Sequence, residues 1–313
     1  MTEELMVNRG GGTEAGALRD RLLSGAPVRE RTIRAGGVST AVLEGGTGEP
    51  LLLLHGPGEH ALKWLGVLPA LTARYRVVAP DLPGHGSTRL EGRALTTDLV
   101  LDWMDGVIEA TCASPPTVVG QTVGGAMAAA HAAARGGVRR LVLVDALGLA
   151  PFAPTAEFGA ALHAYLASPD ERTFDGLMRY CMHDVERLRR RAGEAWAPFV
   201  TYTLDLVRDG ERREALAALM ERFGFPAVPP ETLARIPVPV ALIWGRQDLA
   251  TGIAVAETAS TRYGWPLYVV EDCGDDPVME QPERFVETLT RLSRTAAASS
   301  RTPARIIASE HLP

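Results

Sequence analysis

The sequence predicts an α/β protein in which a doubly wound, mostly parallel sheet carries an inserted helical cap. From residue 50 onwards, short unbroken apolar runs alternate with longer segments of helical periodicity. Such runs are typical of buried strands in a parallel sheet, and the segments between them are typical of crossover helices. Over residues 151–235 the strand signal disappears, and helical patterns rich in Arg, Glu, Leu and Ala replace it. Prolines at both ends of that region support its interpretation as an insertion.

The elements follow in a simple order along the chain. Residues 1–28 are Gly-rich and charged and predict a flexible leader with one modest helical pattern. Two short β-branched runs then predict a hairpin. The sheet is expected in residues 29–150 and 236–294, on the runs PLLLLHG, RVVAPDLPG, TVVGQT, RRLVLVDALG, VPVALIWGRQD and PLYVVEDCG. Crossover helices are expected over residues 62–75, 96–111 and 281–294, and residues 295–313 are expected to form a flexible tail.

Composition narrows the classes of function. The 313 residues include 32 basic and 38 acidic side chains, so the net charge of -6 offers no basic field to nucleic acid. The 3 cysteines are scattered, which predicts buried thiols in a reducing compartment and neither disulfides nor a metal cluster. No secretion signal or membrane-spanning run is visible, so the sequence predicts a cytoplasmic protein without a membrane partner.

The stretch of residues 117–137, TVVGQTVGGAMAAAHAAARGG, predicts a sharp turn from a strand into a helix. In a nucleophile elbow of the pattern G-x-S-x-G, glycines let the strand and the helix pass closely, and the apex residue projects above the sheet. Gly120 and Gly124 stand where the pattern places its glycines. The apex is Thr122, where the pattern has serine.

These motifs together resemble the capped branch of the α/β-hydrolase superfamily, which includes esterases, epoxide hydrolases and C–C bond hydrolases. The resemblance covers about residues 31–294, and its five signatures follow predicted strands in the same order as in the family. They are HG at residues 55–56, DLPGHGS at 81–87, the elbow, GRQD at 245–248 and PVMEQPERF at 277–285.

The resemblance implies a nucleophile, a histidine base, a carboxylate and two oxyanion-binding N–H groups, and this chain departs from that scheme at three places. Thr122 replaces serine. Asp275 stands where the family has its histidine. Pro57, which has no N–H, follows His55-Gly56 where one oxyanion donor is expected, although Gly58 would supply one if the loop shifted by a residue. Val123 keeps the other donor.

Asp248 matches the acid of the family, so Asp248 and Asp275 are predicted to form a carboxyl pair that shares a proton. With Thr122, they are the predicted catalytic residues. Alternative interpretations remain open: Thr122 as a pocket wall, Asp275 as a solvated loop acid, and Asp145, at the end of another strand, as a spare acid.

The substrate-binding residues are predicted in the loops above the sheet: Val123, Gly56, Pro57, His60, Trp64 and His183. His60 and Trp64 would line the pocket mouth, with Trp64 as a core residue the alternative. His183 would hang over the site from the cap, unless it is an exposed helix residue.

The replaced triad predicts an enzyme with non-hydrolytic acid–base chemistry, such as cyclisation, Michael-type addition, C–C bond formation or elimination, on a polyketide-like or aromatic metabolite. One alternative is a hydrolase of an ester, epoxide or C–C bond that uses Thr122 or water activated by aspartate. Another is a non-catalytic protein that binds a small ligand. No cofactor is expected, and a homodimer is compatible with the sequence.

Overall fold

The computed structural model describes residues 14–299. Within them, one sheet has eight strands in the order β1-β2-β4-β3-β5-β6-β7-β8. Strands β1 and β2 form an antiparallel hairpin, β2 pairs antiparallel with β4, and all the other pairs are parallel. The strands are β1 Arg29–Ala35, β2 Val38–Gly45, β3 Glu49–Leu54, β4 Tyr75–Pro80, β5 Thr117–Gln121, β6 Arg140–Val144, β7 Val240–Gly245 and β8 Leu267–Val270. The predicted fold class, including the hairpin, is confirmed.

Helices flank both faces of this sheet and form the cap. Those of the core are α1 Glu14–Leu23, α2 Leu68–Thr72, α3 Thr97–Thr111, α4 Val123–Ala134, α11 Ile253–Tyr263, α12 Pro277–Glu280 and α13 Pro282–Ser299. Between β6 and β7 lie α5 Ala156–Ala167, α6 Glu171–Cys181, α7 Val185–Ala192, α8 Trp196–Arg208, α9 Gly210–Leu219 and α10 Pro230–Leu233. Short turns of 3₁₀-helix occur at Ala61–Gly66 and Gly193–Ala195, and a π-helical turn at Met220–Gly224 continues α9. None of the described helices is long and apolar enough to cross a bilayer.

Strand β3 shows how the core is divided between the two faces of the sheet. Leu52 and Leu54 pack in a cluster with α3 and α4, whereas Leu51 and Leu53 pack in a second cluster with α2 and α13. All four leucines are fully buried. Because successive side chains of a strand point to opposite faces, an unbroken apolar run is what a sheet covered on both sides requires.

The predicted helix over residues 62–75 is shorter than expected. The chain forms the 3₁₀ turn at Ala61–Gly66 and then the single α-helical turn of α2. Gly66 disfavours continuous helix, and Pro69 has no N–H to donate within it, so the segment is split between them.

Part of the predicted leader is packed against the core. Helix α1 places Leu18 and Leu22 against the cluster formed by α2 and α13, and Arg19 is 3% exposed. The guanidinium of Arg19 donates to Glu30 at 2.7 Å and to the hydroxyl of Tyr202 at 2.9 Å, and lies 3.0 Å from Asp81. The expectation of a loose leader is therefore wrong for residues 14–23. Helix α1 ties the cap helix α8 to the core.

The other end of the chain also continues further as helix than the sequence predicted. Helix α13 extends to Ser299, so it includes the first residues of the predicted tail. The predicted tail beyond Ser299, like the first 13 residues of the predicted leader, lies outside the described residues.

Candidate active site

The carboxyl ends of the parallel strands bring several polar residues to one edge of the sheet. Thr122 follows β5, Asp145 follows β6, and Asp248 and Asp275 lie in the loops after β7 and β8. The loop after β3 contributes Gly56. In open α/β sheets this edge is where ligands bind, so the topology alone assembles the predicted site.

Thr122 is at the apex of a true elbow. Its backbone has φ 46° and ψ -114°, an unusual conformation for a β-branched residue. The flanking glycines make the turn feasible, because a Cβ on Gly120 would lie 2.4 Å from the carbonyl oxygen of Gly124. A Cβ on Gly124 would lie 2.6 Å from the carbonyl oxygen of His55. The strained apex is the feature expected of a nucleophile position.

The hydroxyl of Thr122 is buried and has no hydrogen-bond partner among the described residues. It faces Gly56, where a Cβ would lie 2.5 Å from the Thr122 Oγ1 atom. The same Cβ position is 2.8 Å from Oε2 of Glu59. Glu59 accepts a hydrogen bond from the Gly56 N–H at 2.6 Å. A carboxylate therefore lies beside the apex hydroxyl.

Lys63 is at the centre of a buried network behind this carboxylate. Its ammonium donates to both oxygens of Glu59, at 3.0 and 2.9 Å, and pairs with Asp276 at 3.0 Å. It also donates to the side-chain oxygen of Gln121, whose amide nitrogen donates to the carbonyl oxygen of Asp275 at 2.9 Å. Lys63 thereby connects the loop after β3, the elbow and the loop after β8.

Neither Glu59 nor Lys63 was among the residues predicted from the sequence. The signal available was a Glu and a Lys four residues apart, which face the same side of a helical turn. They stand in GEHALKW, directly after the His-Gly motif, in an otherwise largely apolar segment. A lysine there that is 3% exposed needs a partner, because a buried unpaired charge is costly.

Asp248 is held firmly in its loop. One carboxylate oxygen accepts hydrogen bonds from the N–H groups of Ala250 and Thr251, at 2.7 and 3.0 Å, and the other accepts from the Thr251 hydroxyl. Burial raises the pKa of Asp248, although these hydrogen bonds oppose the shift.

Asp275 occupies the loop position where the resemblance places a histidine. Its N–H donates to the carbonyl oxygen of Cys181, in the cap, at 2.8 Å. Gly274 makes this contact with the cap feasible, because a Cβ there would lie 2.2 Å from the same carbonyl oxygen. Burial, and then the neighbouring carboxyl groups of Asp248, Asp276 and Glu59, raise the pKa of Asp275 well above its ordinary value, whereas Lys63 lowers it.

Asp145, predicted only as a spare acid, completes a group of coupled carboxyls. One of its oxygens accepts the N–H of Gly245 at 2.8 Å, and the other has no hydrogen-bond partner in the described part of the chain. Burial and then the nearby Asp248 raise its pKa well above the ordinary value. Carboxyls in this arrangement titrate together and hold protons at pH values where an isolated aspartate would have lost its own.

The oxyanion donors are only partly present. Val123 is the first residue of α4, so its N–H has no acceptor within the helix. Pro57 has no N–H, and that of Gly56 is engaged by Glu59. An incoming carbonyl oxygen would therefore meet one available donor, from Val123, unless Glu59 moves.

Of three residues predicted to bind substrate from the loops and the cap, two are buried and one is exposed. Trp64 is fully buried, and its ring centroid lies 6.4 Å from that of Phe285 in the cluster with α2 and α13. It is therefore a core residue and does not line a pocket mouth. His60 is 1% exposed, and its Nε2 lies 3.0 Å from the hydroxyl of Thr203 in the cap. His183 is exposed, and its backbone N–H donates to Glu280 at 2.9 Å.

The buried histidines near this edge have structural roles. The Nε2 atom of His55 accepts the N–H of Leu82 at 3.0 Å, and Nδ1 of His85 lies 3.0 Å from the carbonyl oxygen of Pro83. Burial lowers the pKa of both rings to about 4 and that of His60 to about 3. These rings are neutral near pH 7 and are held by packing and hydrogen bonds.

Carboxyl groups are numerous here, but their arrangement is not that of a metal centre. Within residues 14–299, no group of three or more His, Cys, Asp or Glu side chains is placed to hold a metal ion. The arrangement is suited to proton transfer, because raised pKa values bring carboxyls closer to neutrality.

Comparison with known proteins identifies the family of this chain. The model of the alpha/beta hydrolase family matches residues 51–288. The 2-hydroxy-6-oxo-6-(2'-aminophenyl)hexa-2,4-dienoic acid hydrolase of Metapseudomonas resinovorans is 28% identical over 283 residues, covering 85% of this chain and 92% of that protein. The pimeloyl-[acyl-carrier protein] methyl ester esterase of Aeromonas hydrophila is 26% identical, covering 80% of this chain and 98% of that protein.

Among solved structures, a meta-cleavage product hydrolase from Pseudomonas fluorescens superposes with a TM-score of 0.71 at 26% identity. The match covers 85% of this chain and 98% of that chain. The family match spans most of the sheet, the elbow and the cap. This chain therefore belongs to the alpha/beta hydrolase family.

Proposed function

We propose that this protein is a hydrolase that cleaves an ester or a C–C bond beside a carbonyl group in a small molecule. In this proposal carboxyl groups perform the proton transfers for which the usual triad employs histidine. The observation that supports the proposal is the group of interacting carboxyls of Asp145, Asp248 and Asp275, which follow β6, β7 and β8 at the same edge of the sheet as the elbow of Thr122. The attacking oxygen belongs either to Thr122 or to water.

The carboxyl pair supplies both acid and base in this proposal. Burial and neighbouring carboxyls raise the pKa of Asp275, so the group holds a proton to higher pH than a solvated aspartate does. In its ionised form Asp275 accepts a proton from the attacking water, and in its protonated form it donates one to the leaving group. Such catalysis contributes typically about 10²–10⁴-fold to a rate.

The relatives support hydrolysis over the other chemistries. Named relatives include a hydrolase of a hexadienoic acid, a methyl ester esterase and a meta-cleavage product hydrolase. All three names describe hydrolytic enzymes, one of them an esterase and one a hydrolase of an oxo-dienoic acid. We therefore place vinylogous ketones and simple esters first among the substrates to be tested.

Non-hydrolytic acid–base chemistry is the second candidate, and a specific observation favours it. The Gly56 N–H is engaged by Glu59 and Pro57 has no N–H, so an oxyanion would receive less stabilisation than in a complete hydrolase site. Cyclisation, Michael-type addition, C–C bond formation or elimination would need the same carboxyl pair and less oxyanion stabilisation. A polyketide-like or aromatic metabolite would be the substrate.

A substrate panel in ¹⁸O-labelled water tests the proposal. Aryl esters, methyl esters and vinylogous diketones are incubated with the protein, and the masses of the products are measured by mass spectrometry. We expect uptake of one labelled oxygen per turnover and a loss of about 10²–10⁴-fold in kcat for Asp275→Asn. The surface variant Glu257→Gln is the matched control and should retain full activity. An isomeric product would favour the second candidate, and ligand returned unchanged would favour a binding protein.

A further inference from the structure

We propose that Glu59 is a catalytic residue whose carboxylate accepts the proton of the Thr122 hydroxyl, which makes Thr122 the covalent nucleophile. This inference rests on the proposed hydrolase function and identifies which oxygen attacks.

Geometry places the two groups side by side. The Thr122 Oγ1 atom and the Glu59 Oε2 atom lie 2.5 and 2.8 Å from the position that a Cβ on Gly56 would occupy. Glycine is therefore the only residue type at position 56 that leaves both side chains in place. A proton acceptor must come within hydrogen-bond reach of its donor, and such bonds are commonly long without substrate and tighten in the reacting complex.

The Thr122 hydroxyl has no partner to compete for its proton. It is buried and makes no hydrogen bond with any described residue. Leaving such a group unsatisfied costs about 1–3 kcal/mol, which offsets part of the cost of turning Glu59 away from the Gly56 N–H. No histidine in residues 14–299 hydrogen-bonds to this hydroxyl, so none is placed to act as its base instead of Glu59.

Glu59 has both the freedom and the support for this role. Its side chain is 31% exposed, whereas that of Lys63 is 1% exposed. The glutamate can therefore turn while the lysine stays fixed. A cavity of about 20 Å³ lies on its cap side, lined in part by Gly58, Leu206 and Leu216. The ammonium of Lys63 donates to both oxygens of Glu59 and supports the carboxylate from behind.

For an ester, the proposed reaction forms an acyl-threonine and then hydrolyses it. Glu59 takes the proton of Thr122 while Oγ1 bonds to the carbonyl carbon, and the π electrons move to the carbonyl oxygen near the Val123 N–H. Collapse breaks the bond to the leaving alcohol, which receives a proton from protonated Asp275. Water then attacks the acyl-threonine and gives a proton to the ionised Asp275. The bond to Thr122 Oγ1 breaks, Oγ1 takes its proton back from Glu59, and the acid leaves.

A variant cycle measured on the best substrate of the panel tests this inference. Glu59→Gln keeps an oxygen to accept the Gly56 N–H but removes the base, so we expect kcat to fall by about 10²–10⁴-fold. Thr122→Ala should cause a similar fall. The double variant should be no slower than Thr122→Ala, because residues that act on one step are not additive. Glu257→Gln again serves as the surface control.

A second measurement keeps the inference falsifiable even if Glu59→Gln does not fold. Acid quenching of the native enzyme during turnover, followed by peptide mass spectrometry, should show an acyl group on Thr122. Activity of Glu59→Gln within threefold of the native enzyme, or no acyl-threonine during rapid turnover, would overturn the inference alone. Absence of labelled oxygen from the native product would instead overturn the hydrolase function on which it rests.

Discussion

Replacing Lys63 by methionine tests the buried network that joins the loops of the site. Methionine keeps most of the length and apolar volume of lysine but removes the ammonium. The substitution leaves Asp276 without its counter-ion, which is 3.0 Å away in the native protein, and Glu59 without the donor to both its oxygens. It also removes the hydrogen bond to Gln121.

The contacts of Lys63 determine how much unfolding free energy Lys63→Met should lose. Asp276 is 1% exposed, so it cannot recover its lost partner from water. Removing one member of a buried ion pair typically costs about 3–5 kcal/mol of unfolding free energy.

The loss of stability in Lys63→Met should be larger at high pH than at low pH. Burial raises the pKa of Asp276 and Lys63 lowers it, so in Lys63→Met the pKa rises further. A group with a raised folded-state pKa stabilises the fold at low pH and loses that effect as pH rises. Lys63→Met should therefore lose more unfolding free energy at pH 8 than at pH 5.

Urea unfolding of Lys63→Met at both pH values, followed by tryptophan fluorescence, measures this loss. The matched control is Lys63→Met combined with Asp276→Asn, which removes the unpaired charge but keeps the oxygen that accepts the Met279 N–H at 3.0 Å. We expect the double variant to be more stable than Lys63→Met at pH 8. A loss below 1 kcal/mol, or the same loss at both pH values, would refute the reasoning.

Three further predictions concern stability. Arg19→Met should lower the unfolding free energy by about 3–5 kcal/mol, because it leaves the buried Asp81 unpaired; Arg21→Met, on the exposed side of α1, should cost less than 0.5 kcal/mol in the same urea titration. Asp145→Asn should raise the melting temperature at pH 8 and give little gain near pH 4, because its pKa is raised and the charged form is the costly one; equal gains at both pH values would contradict this. Thr122→Gly should raise the unfolding free energy by about 1 kcal/mol because glycine relaxes the φ of 46°, and urea unfolding that shows a less stable variant would contradict the strain.

The fold was predictable because its signals are local. Leu51, Leu52, Leu53 and Leu54 form an unbroken apolar run that only a strand covered on both faces can bury. The glycines around Thr122 likewise predicted the elbow, because their role depends on backbone distances within a few residues. Arg19 was missed for the opposite reason, since its partners Asp81 and Tyr202 are far away in the chain and only the folded protein brings them together.

The candidate site was predicted at the strand ends, but two of the residues that the structure brings to it were not. The strand ends located Thr122, Asp248 and Asp275, because parallel strands end at a common edge. Glu59 and Lys63 came only from the structure, since their importance depends on burial and on contacts with Asp276 and Gln121 that local sequence does not encode. For the same reason Trp64 was ambiguous, because an aromatic residue after a loop fits either a pocket mouth or a core.

The most direct test of the central claim is turnover in ¹⁸O-labelled water by the native protein and by Asp275→Asn, compared on one substrate. If carboxyl groups replace histidine in a hydrolase, the native product contains one labelled oxygen, and Asp275→Asn forms the same labelled product about 10²–10⁴ times more slowly. A native product without label, or Asp275→Asn as fast as the native protein, would contradict that claim.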